Sequence, residues 1–352
     1  MRNCDDSPTC PVKSTGQGNF CFLAEISPRD KRWDEIRGYA DEIAKLYKNT
    51  RYSKYADRIS GCSRRLNFGT VRDADTGETR LKLRLALFCR VPRCPVCQWR
   101  RSLMWRAKAF KILPKLFENY PDARYLFLTL TVRNCDLTDL RSTLADMNKA
   151  WERLFKRKYF PAIGWLKSVE VTRSEDDTAH PHFHVLLMVK PSYFQGKYYL
   201  SQKAWTELWQ KSMRIDYTPI VHIQVVKDNI SNNIGEIGNE SKSNNCNNSI
   251  INAVLETIKY SVKPSDLVKM SRSKSRIVSN QDWLTELTSQ LYKTKSLATG
   301  GIFKEYFKEL EEEPDDLINA DDLPDTEEGT KSLDLMFKWS EFKKRYSIGY
   351  EI

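Results

Sequence analysis

The sequence predicts an α+β protein in which a central antiparallel sheet carries helices on one face, preceded by a basic region rich in cysteine. Three observations support this class. Short apolar runs with β-branched and aromatic residues, too short for buried helices, occur at 125–132, 165–172, 182–189 and 220–226. Apolar residues recur at helical spacing between these runs. Cysteines and cations are concentrated ahead of the first run.

The helices are predicted from apolar residues spaced three or four apart. The first predicted helix covers 33–46, with Trp33, Ile36, Tyr39, Ala40, Ile43 and Leu46 on one face. A second is indicated by Leu140, Leu144, Met147, Trp151 and Leu154, and a third by Trp205, Leu208 and Trp209. Another helix is predicted near 251–262. Residues 1–30 show no clear period and are expected to form an irregular leader.

The charge of the chain favours an anionic partner. Among 352 residues, 57 Lys and Arg stand against 46 Asp and Glu, which gives a net charge of +11. Nucleic acid is the first expectation and an anionic membrane surface the second. No run of eighteen apolar residues and no apolar N-terminal stretch occurs, which argues against a spanning helix or a signal peptide. We therefore expect a cytoplasmic protein with no membrane partner.

Composition divides the chain into four predicted segments. Residues 1–50 form the leader and first helix, and 51–118 form a basic, cysteine-rich region that contacts DNA. Residues 119–300 form the sheet domain, with an insertion at 228–249 whose Asn, Ser and Gly cannot bury a core. Residues 301–352 form a C-terminal region with an acidic segment at 305–328.

Three of the four histidines of the chain lie within the segment His180-Pro181-His182-Phe183-His184. Alternate residues of a strand share a face, so His182 and His184 point the same way. Pro181 interrupts ladder pairing, which places His180 at the strand entrance, near DNA rather than on a metal. The two later imidazoles are predicted to bind one divalent cation; the alternative is a pair of surface side chains.

A third ligand is expected on the preceding strand. Glu170 lies between Val169 and Val171, so its carboxylate points away from the valines and towards the face that a hairpin partner shares. The alternative is a solvent-facing carboxylate. Two histidines and one carboxylate with open positions suit Mg²⁺ or Mn²⁺ bound to a phosphate oxygen.

A second metal site is predicted from the cysteines. Cys89, Cys94 and Cys97 lie close in sequence, and Cys62 is the best fourth ligand, with Cys4, Cys10 and Cys21 as rivals. Four thiolates suit tetrahedral structural Zn²⁺. The alternative is a set of free buried cysteines.

Cations and tryptophans alternate along the helix expected after this cluster. Its predicted phosphate contacts are Arg100, Arg101, Arg106 and Lys108. Trp99 and Trp105 either stack on bases or pack in the core.

One further helical segment gathers ionisable side chains. In the run 256–263, Glu256 and Tyr260 are four residues apart and therefore neighbours on a helix. Lys259 and Lys263 form another such pair. Taken alone, these residue types are ordinary on a helix surface.

The segments FLTLTV (127–132), HPHFHVLLMV (180–189) and ETIKYSVKPSDL (256–267) resemble, in order and character, motifs of the plasmid rolling-circle initiators of the HUH endonuclease superfamily. The likeness is to the single-tyrosine group with a Glu four residues before the nucleophile. Residues 88–109 also resemble that group, so the resemblance covers about 60–270. It implies an HUH nuclease-like fold for the sheet domain.

The resemblance also implies roles. His182 and His184 would hold the cation, while Tyr260 would attack the scissile phosphate of one strand at the double-strand origin. The products would be a 5′-phosphotyrosyl link and a free 3′-OH primer. Glu256 would activate water for termination, and Lys263 would steady the phosphate or the tyrosyl oxygen. Lys259 is expected to contact DNA. The implied partners are plasmid origin DNA and the host helicase and polymerase.

Two alternative functions remain open from the sequence. One keeps the nicking chemistry but assigns it to a relaxase or a transposase. The other is a non-enzymatic, zinc-containing DNA-binding regulator, in which the histidine strand is structural.

Overall fold

The computed structural model describes residues 21–72, 79–226, 250–258, 262–268, 279–311, 317–318 and 334–348. The chain forms two compact units. The cysteine unit combines Met1–Met104 with Asp315–Ile352, and the histidine unit is Trp105–Pro314. The predicted insertion at 228–249 lies outside the described residues.

The elements up to the unit boundary follow one another closely. They are β1 (Cys21–Phe22), α1 (Leu23–Ile26), α2 (Arg32–Tyr47), α3 (Ser53–Gly61), β2 (Arg65–Arg72), β3 (Thr79–Ala86) and α4 (Pro95–Asn119). The residues of α4 after Met104 belong to the histidine unit. The irregular leader expected over 1–30 is wrong for its last part, because residues 21–26 form β1 and α1 and Leu23 is fully buried.

The remaining elements build the histidine unit and complete the cysteine unit. The former continues with β4 (Arg124–Thr131), α5 (Leu140–Phe155), β5 (Ala162–Arg173), β6 (Ala179–Val189), α6 (Gln202–Met213), β7 (Val221–Val226), α7 (Ile250–Thr257), α8 (Pro264–Leu267), α9 (Asn280–Gln290), β8 (Leu297–Gly301) and α10 (Ile302–Glu311). The latter ends with β9 (Leu335–Ser340) and β10 (Arg345–Ile348).

Each unit contains an antiparallel sheet, which confirms the α+β class. In the histidine unit the strand order is β7-β4-β6-β5-β8, with β4, β6 and β5 in the centre. In the cysteine unit the order is β1-β10-β9-β2-β3. This second sheet was not predicted, although the alternating apolar residues of LKLRLA in β3 are typical of a half-buried strand.

Helices pack on both faces of the histidine-unit sheet rather than on the one face that we predicted. On one face, Trp151 of α5 contacts Trp165 at a centroid distance of 5.2 Å, and Trp209 of α6 lies 6.3 Å from Phe183. On the other face, residues of β5 and β6 share a core with α4, α7 and α10. The reason is the unbroken apolar run 185–189, which buries both faces of β6.

The second of these faces is divided into an apolar part and a polar part. Leu166, Leu186 and Met188 are buried beneath the helices. Towards the turn that connects β5 to β6, the side chains on this same face are Glu170, His182 and His184. The helices therefore cover the face up to the polar cluster.

In the described part of the chain, no helix combines the length and the apolar character that crossing a bilayer requires.

The fold makes Gly301, at the junction of β8 and α10, sensitive to substitution. Its φ is +55°, and a Cβ there would collide with the carbonyl oxygen of Ile163. We expect Gly301→Ala to lower the free energy of unfolding by about 1 to 3 kcal/mol, because both the backbone conformation and the clash are costly. Urea unfolding measures this.

Gly38→Ala is the control for that measurement. Gly38 lies within α2, and a Cβ there meets nothing within 4 Å. Since alanine favours a helix interior over glycine, we expect a gain of about 0.5 to 1 kcal/mol. Equal effects of the two substitutions would contradict the strain assigned to Gly301.

Candidate functional site

Glu170, His182 and His184 converge at one point on the histidine-unit sheet. Antiparallel pairing places Glu170 of β5 directly opposite His182 of β6. The Glu170 Oε2 atom lies 3.1 Å from His182 Nε2 and 2.8 Å from His184 Nε2. The three side chains are almost buried, and their ligand atoms all lie within 4.8 Å of one another. The structure thus brings together the three residues that the sequence suggested for a divalent cation.

The other nitrogen of each imidazole is oriented by the protein. His182 Nδ1 lies 3.2 Å from the carbonyl oxygen of His180, which can only accept, so Nδ1 carries the hydrogen. In the neutral ring Nε2 then has a lone pair that faces another acceptor, the Glu170 carboxylate. Two acceptors at this distance repel each other unless a proton or a metal ion lies between them. A histidine bound to a metal through Nε2 commonly donates from Nδ1 in this way.

Thr129 and Phe127 of β4 hold the second imidazole, and the sequence did not single them out. The Thr129 hydroxyl lies 3.3 Å from His184 Nδ1, and the Phe127 ring stacks on the imidazole with centroids 5.6 Å apart. The signal was present in the alternation of FLTLTV, because Phe127, Thr129 and Thr131 share the face of the histidines.

The Glu170 carboxylate is held in its ionised form. Burial alone would raise its pKa, but the hydrogen bonds and charges of His182 and His184 outweigh burial and bring the pKa of Glu170 below its usual value. Its second oxygen, Oε1, is buried and has no hydrogen-bond partner among the described residues. The Lys263 Nζ atom lies 3.6 Å from Oε1. A carboxylate with an unsatisfied oxygen is a suitable ligand for a cation.

The spacing of this cluster also fits a small divalent ion. Adjacent ligands of an octahedral ion with bonds of about 2.1 Å are about 3.0 Å apart. The two distances from Glu170 Oε2, 3.1 and 2.8 Å, bracket this value. Three ligands from the protein leave positions open for water or substrate, so the cluster could hold a metal that acts on a bound group.

The structure describes only part of the segment 256–263 that the sequence singled out. Lys263, just before α8, has a half-exposed side chain next to Glu170. Glu256 is half-buried in α7, which ends at Thr257 and not near 262 as predicted. Tyr260 and Lys259 lie outside the described residues.

The cysteine unit contains a second candidate metal centre, formed by Cys62, Cys89, Cys94 and Cys97. Cys62 Sγ lies 3.6 Å from Cys97 Sγ and 3.7 Å from Cys94 Sγ, and Cys89 Sγ lies 3.6 Å from Cys97 Sγ. Four sulfurs around a tetrahedral ion with bonds of about 2.3 Å are about 3.8 Å apart. The geometry therefore fits a metal with four thiolate ligands.

Three chain segments supply these cysteines. Cys62 follows α3, Cys89 follows β3, and Cys94 and Cys97 lie at the start of α4. Of the rival fourth ligands, Cys21 is disulfide-bonded, and Cys4 and Cys10 lie outside the described residues. The backbone N–H groups of Cys89 and Arg90 donate to Cys62 Sγ and Cys97 Sγ, which favours the thiolate form.

The expectation that Arg100 and Lys108 contact DNA is not supported, because both side chains are buried. Arg100 Nε donates to the carbonyl oxygen of Leu317 over 2.8 Å, and its guanidinium lies against the ring of Trp33. Lys108 Nζ donates to the carbonyl oxygen of Leu310 over 2.8 Å. Neither cation can reach a phosphate in this conformation.

Arg106 has a structural position as well. Its guanidinium donates to the carbonyl oxygens of Leu255 and Ile258, each over 3.3 Å, at the C-terminal end of α7. A cation there satisfies carbonyl groups that have no partner within the helix. Arg101 is half-buried. The helix α4 therefore uses most of its predicted DNA contacts to hold other elements.

Lys167 is a buried cation that the sequence did not reveal. Its Nζ donates to Asn148 Oδ1 over 2.7 Å and lies 3.7 Å from the centroid of the Phe183 ring, on the face opposite the histidines. Burial lowers the pKa of Lys167 to about 7. The face of the sheet covered by α5 and α6 thus holds a lysine amine with no carboxylate partner among the described residues.

Comparison with known proteins gives a consistent result. The model of a replication protein family matches residues 80–347. The chain is 34% identical over 330 residues to "Protein rep" of Streptococcus pneumoniae serotype 2, covering 91% of this chain and 92% of the relative. It is 37% identical over 303 residues to "Protein rep" of Bacillus amyloliquefaciens, covering 84% and 86%.

A "Replication protein" of Staphylococcus aureus is 32% identical over 246 residues, covering 68% of this chain and 96% of the relative. No solved structure matches the chain. The family model spans most of the sequence, including both candidate metal centres except Cys62. The chain therefore belongs to the replication protein family.

Proposed function

We propose that this protein initiates rolling-circle replication of a plasmid by nicking one strand at the double-strand origin. The observation that carries the proposal is the convergence of His182 Nε2, His184 Nε2 and a Glu170 carboxylate oxygen within 4.8 Å. Such a set is suited to phosphate chemistry, because it could hold a divalent cation with positions open to a phosphate oxygen. Membership of the replication protein family supports the biological context.

The cofactor in this proposal is Mg²⁺ or Mn²⁺, held by His182, His184 and Glu170. When bound, the ion would polarise a phosphate oxygen. The hydrogen bond from Nδ1 to the carbonyl oxygen of His180 fixes the His182 ring with its Nε2 atom towards this position, and the Glu170 carboxylate would supply the anionic ligand. The second proposed metal is structural Zn²⁺ on the four cysteines.

Tyr260 is the proposed nucleophile. Its phenol oxygen bonds to phosphorus as the bond from phosphorus to the 3′ oxygen breaks, and the phenol proton passes to that leaving oxygen. The result is a 5′-phosphotyrosyl link and a free 3′-OH primer for the host polymerase and helicase. Lys263, whose ammonium lies 3.6 Å from Glu170, would stabilise the charge on the phosphate or on the tyrosyl oxygen.

Two further residues have proposed roles in the same segment. Glu256 would act as a general base for water in the cleavage that terminates replication, since it precedes Tyr260 by four residues. Lys259 would contact a phosphate of the DNA. Because water activated by Glu256 would carry out the terminating cleavage, the protein needs one nucleophilic tyrosine, for the initiating cleavage.

The experiment that tests the function uses Tyr260→Phe, a supercoiled plasmid that carries the origin, and Mn²⁺. We expect the variant to bind DNA but to form no covalent adduct, because it lacks only the attacking oxygen. The adduct is detected as DNA that phenol extraction removes until the sample is treated with protease. Tyr292→Phe is the control, since Tyr292 is 58% exposed and lies outside this segment. An adduct that persists in Tyr260→Phe would exclude Tyr260 as the nucleophile.

The metal assignment predicts that His184→Ala slows nicking by more than about 100-fold. Loss of a residue that only hydrogen-bonds to a metal ligand typically costs about 10- to 100-fold, and loss of a ligand itself should cost more. Duplex affinity is expected to stay within about twofold, since cations provide it. His222→Ala is the matched control, as His222 is exposed on the edge strand β7. Parallel loss of binding and nicking would instead indicate a structural role for His184.

The zinc assignment predicts about one Zn²⁺ per purified chain. Cys94→Ser or Cys97→Ser should release it and lower the melting temperature, because the ion links three chain segments. Cys135→Ser, at a free cysteine of the histidine unit, should retain the zinc. Elemental analysis provides the measurement, and folded, active protein without zinc would disprove the assignment.

A further inference from the structure

The central strands of the cysteine-unit sheet have one buried face and one open face. Leu66, Phe68 and Phe337 are buried on the inner face. Side chains of alternate orientation form what we call the outward face of β9, β2 and β3, namely Arg65, Asn67, Lys82, Leu85, Met336 and Lys338. Leu85 and Met336 are each 57% exposed, on either side of Asn67, and Arg65 and Lys338 are exposed as well.

The charge on this face has one sign. None of the five strands of the sheet contains Asp or Glu, whereas the cations of outward orientation or in the bulge on β2, β3 and β9 are Arg65, Arg80, Lys82, Arg84 and Lys338. The neighbouring Arg64, just before β2, forms an ion pair with Glu341 over 2.8 Å. Arg65 and Arg84 form no ion pair or side-chain hydrogen bond with any described residue.

Two local features concentrate positive charge on this face. Arg65 is directly opposite Lys338 in the β2–β9 ladder. In the β2–β3 ladder, Asn67 pairs with Leu85 and Phe68 with Leu83, so Arg84 is an extra residue in a β-bulge. The bulge leaves both Arg84 and Leu85 exposed. Bulges often re-aim side chains next to functional sites.

We propose that the outward face of the cysteine unit binds duplex DNA, an inference that rests on the proposed origin-nicking function. The cations contact phosphates and position the protein, while Asn67, between Leu85 and Met336, faces the base edges. Single strands are bound through stacking on aromatic side chains, and the outward face of β9, β2 and β3 has none.

This surface also provides the cationic contacts that α4 does not. Arg100 and Lys108 are buried, and Arg106 is bound to the end of α7. The side chains of Arg65, Arg84 and Lys338 are exposed. The four-cysteine cluster lies next to the same strands in the chain, since Cys62 precedes β2 and Cys89 follows β3. Metal at the cysteines would hold the ends of this hairpin in place.

The test is the double variant Arg65→Ala/Arg84→Ala, assayed for affinity to an origin duplex over a range of salt concentrations. Loss of two phosphate contacts should reduce the slope of log K against log salt by about 1.8. At about 0.15 M salt the same loss corresponds to roughly thirtyfold weaker binding. Lys45→Ala, which removes a cation of α2 that pairs with Glu42, should leave both quantities unchanged.

Two further measurements separate this inference from folding and from the nicking function. The melting temperature of the double variant should equal that of the wild type, because neither side chain has an ion pair or hydrogen bond with a described residue. Cleavage of a short single-stranded oligonucleotide that contains the nick site should proceed at the wild-type rate. Wild-type duplex affinity and salt slope in the folded double variant would overturn the proposal. Failure of the wild type to cleave the oligonucleotide would instead count against the nicking function alone.

Discussion

The candidate site depends on the antiparallel register between β5 and β6. This register sets Glu170 opposite His182 and lets one carboxylate oxygen reach two imidazole nitrogens. Because side chains alternate along a strand, a slip of one residue would turn the histidines to the opposite face, where Phe183 and Val185 are buried. The apolar residues of the two strands therefore also protect the site, since exposing them to water would be costly.

The sheet face that carries Glu170, His182 and His184 also has an apolar part, and α7 packs on it. This packing links the three side chains to the segment that contains the proposed nucleophile. Ala253, Val254 and Ile258 pack in the core with Leu186 and Met188, two and four residues beyond His184. Arg106 binds the carbonyl oxygens at the end of the same helix. Core packing and a helix cap thus fix the chain immediately before Lys259, and Arg106 of α4 acts here as a structural cation.

The proposed function makes two demands that conflict within a single surface. Phosphate chemistry needs a buried, oriented set of ligands, and the side chains of Glu170, His182 and His184 are almost buried and lie within reach of one another. Duplex binding needs exposed cations whose charges are not neutralised by neighbouring carboxylates. Arg65 and Arg84 have exposed side chains without such a partner among the described residues, and a metal at the four cysteines would hold the ends of their hairpin.

The sequence alone determined the features that local periodicity encodes. It gave the strands of the histidine unit, the shared face of His182 and His184, the cysteine spacing and the family resemblance, because each depends on residues close together in the chain. Tertiary structure decided which long side chains point to solvent. Arg100 and Arg65 look alike in sequence, yet one binds carbonyl groups of a distant segment and the other is exposed. The aliphatic stem of an arginine can pack in the core or along the surface. The position of its charge therefore depends on packing partners that are distant in the sequence.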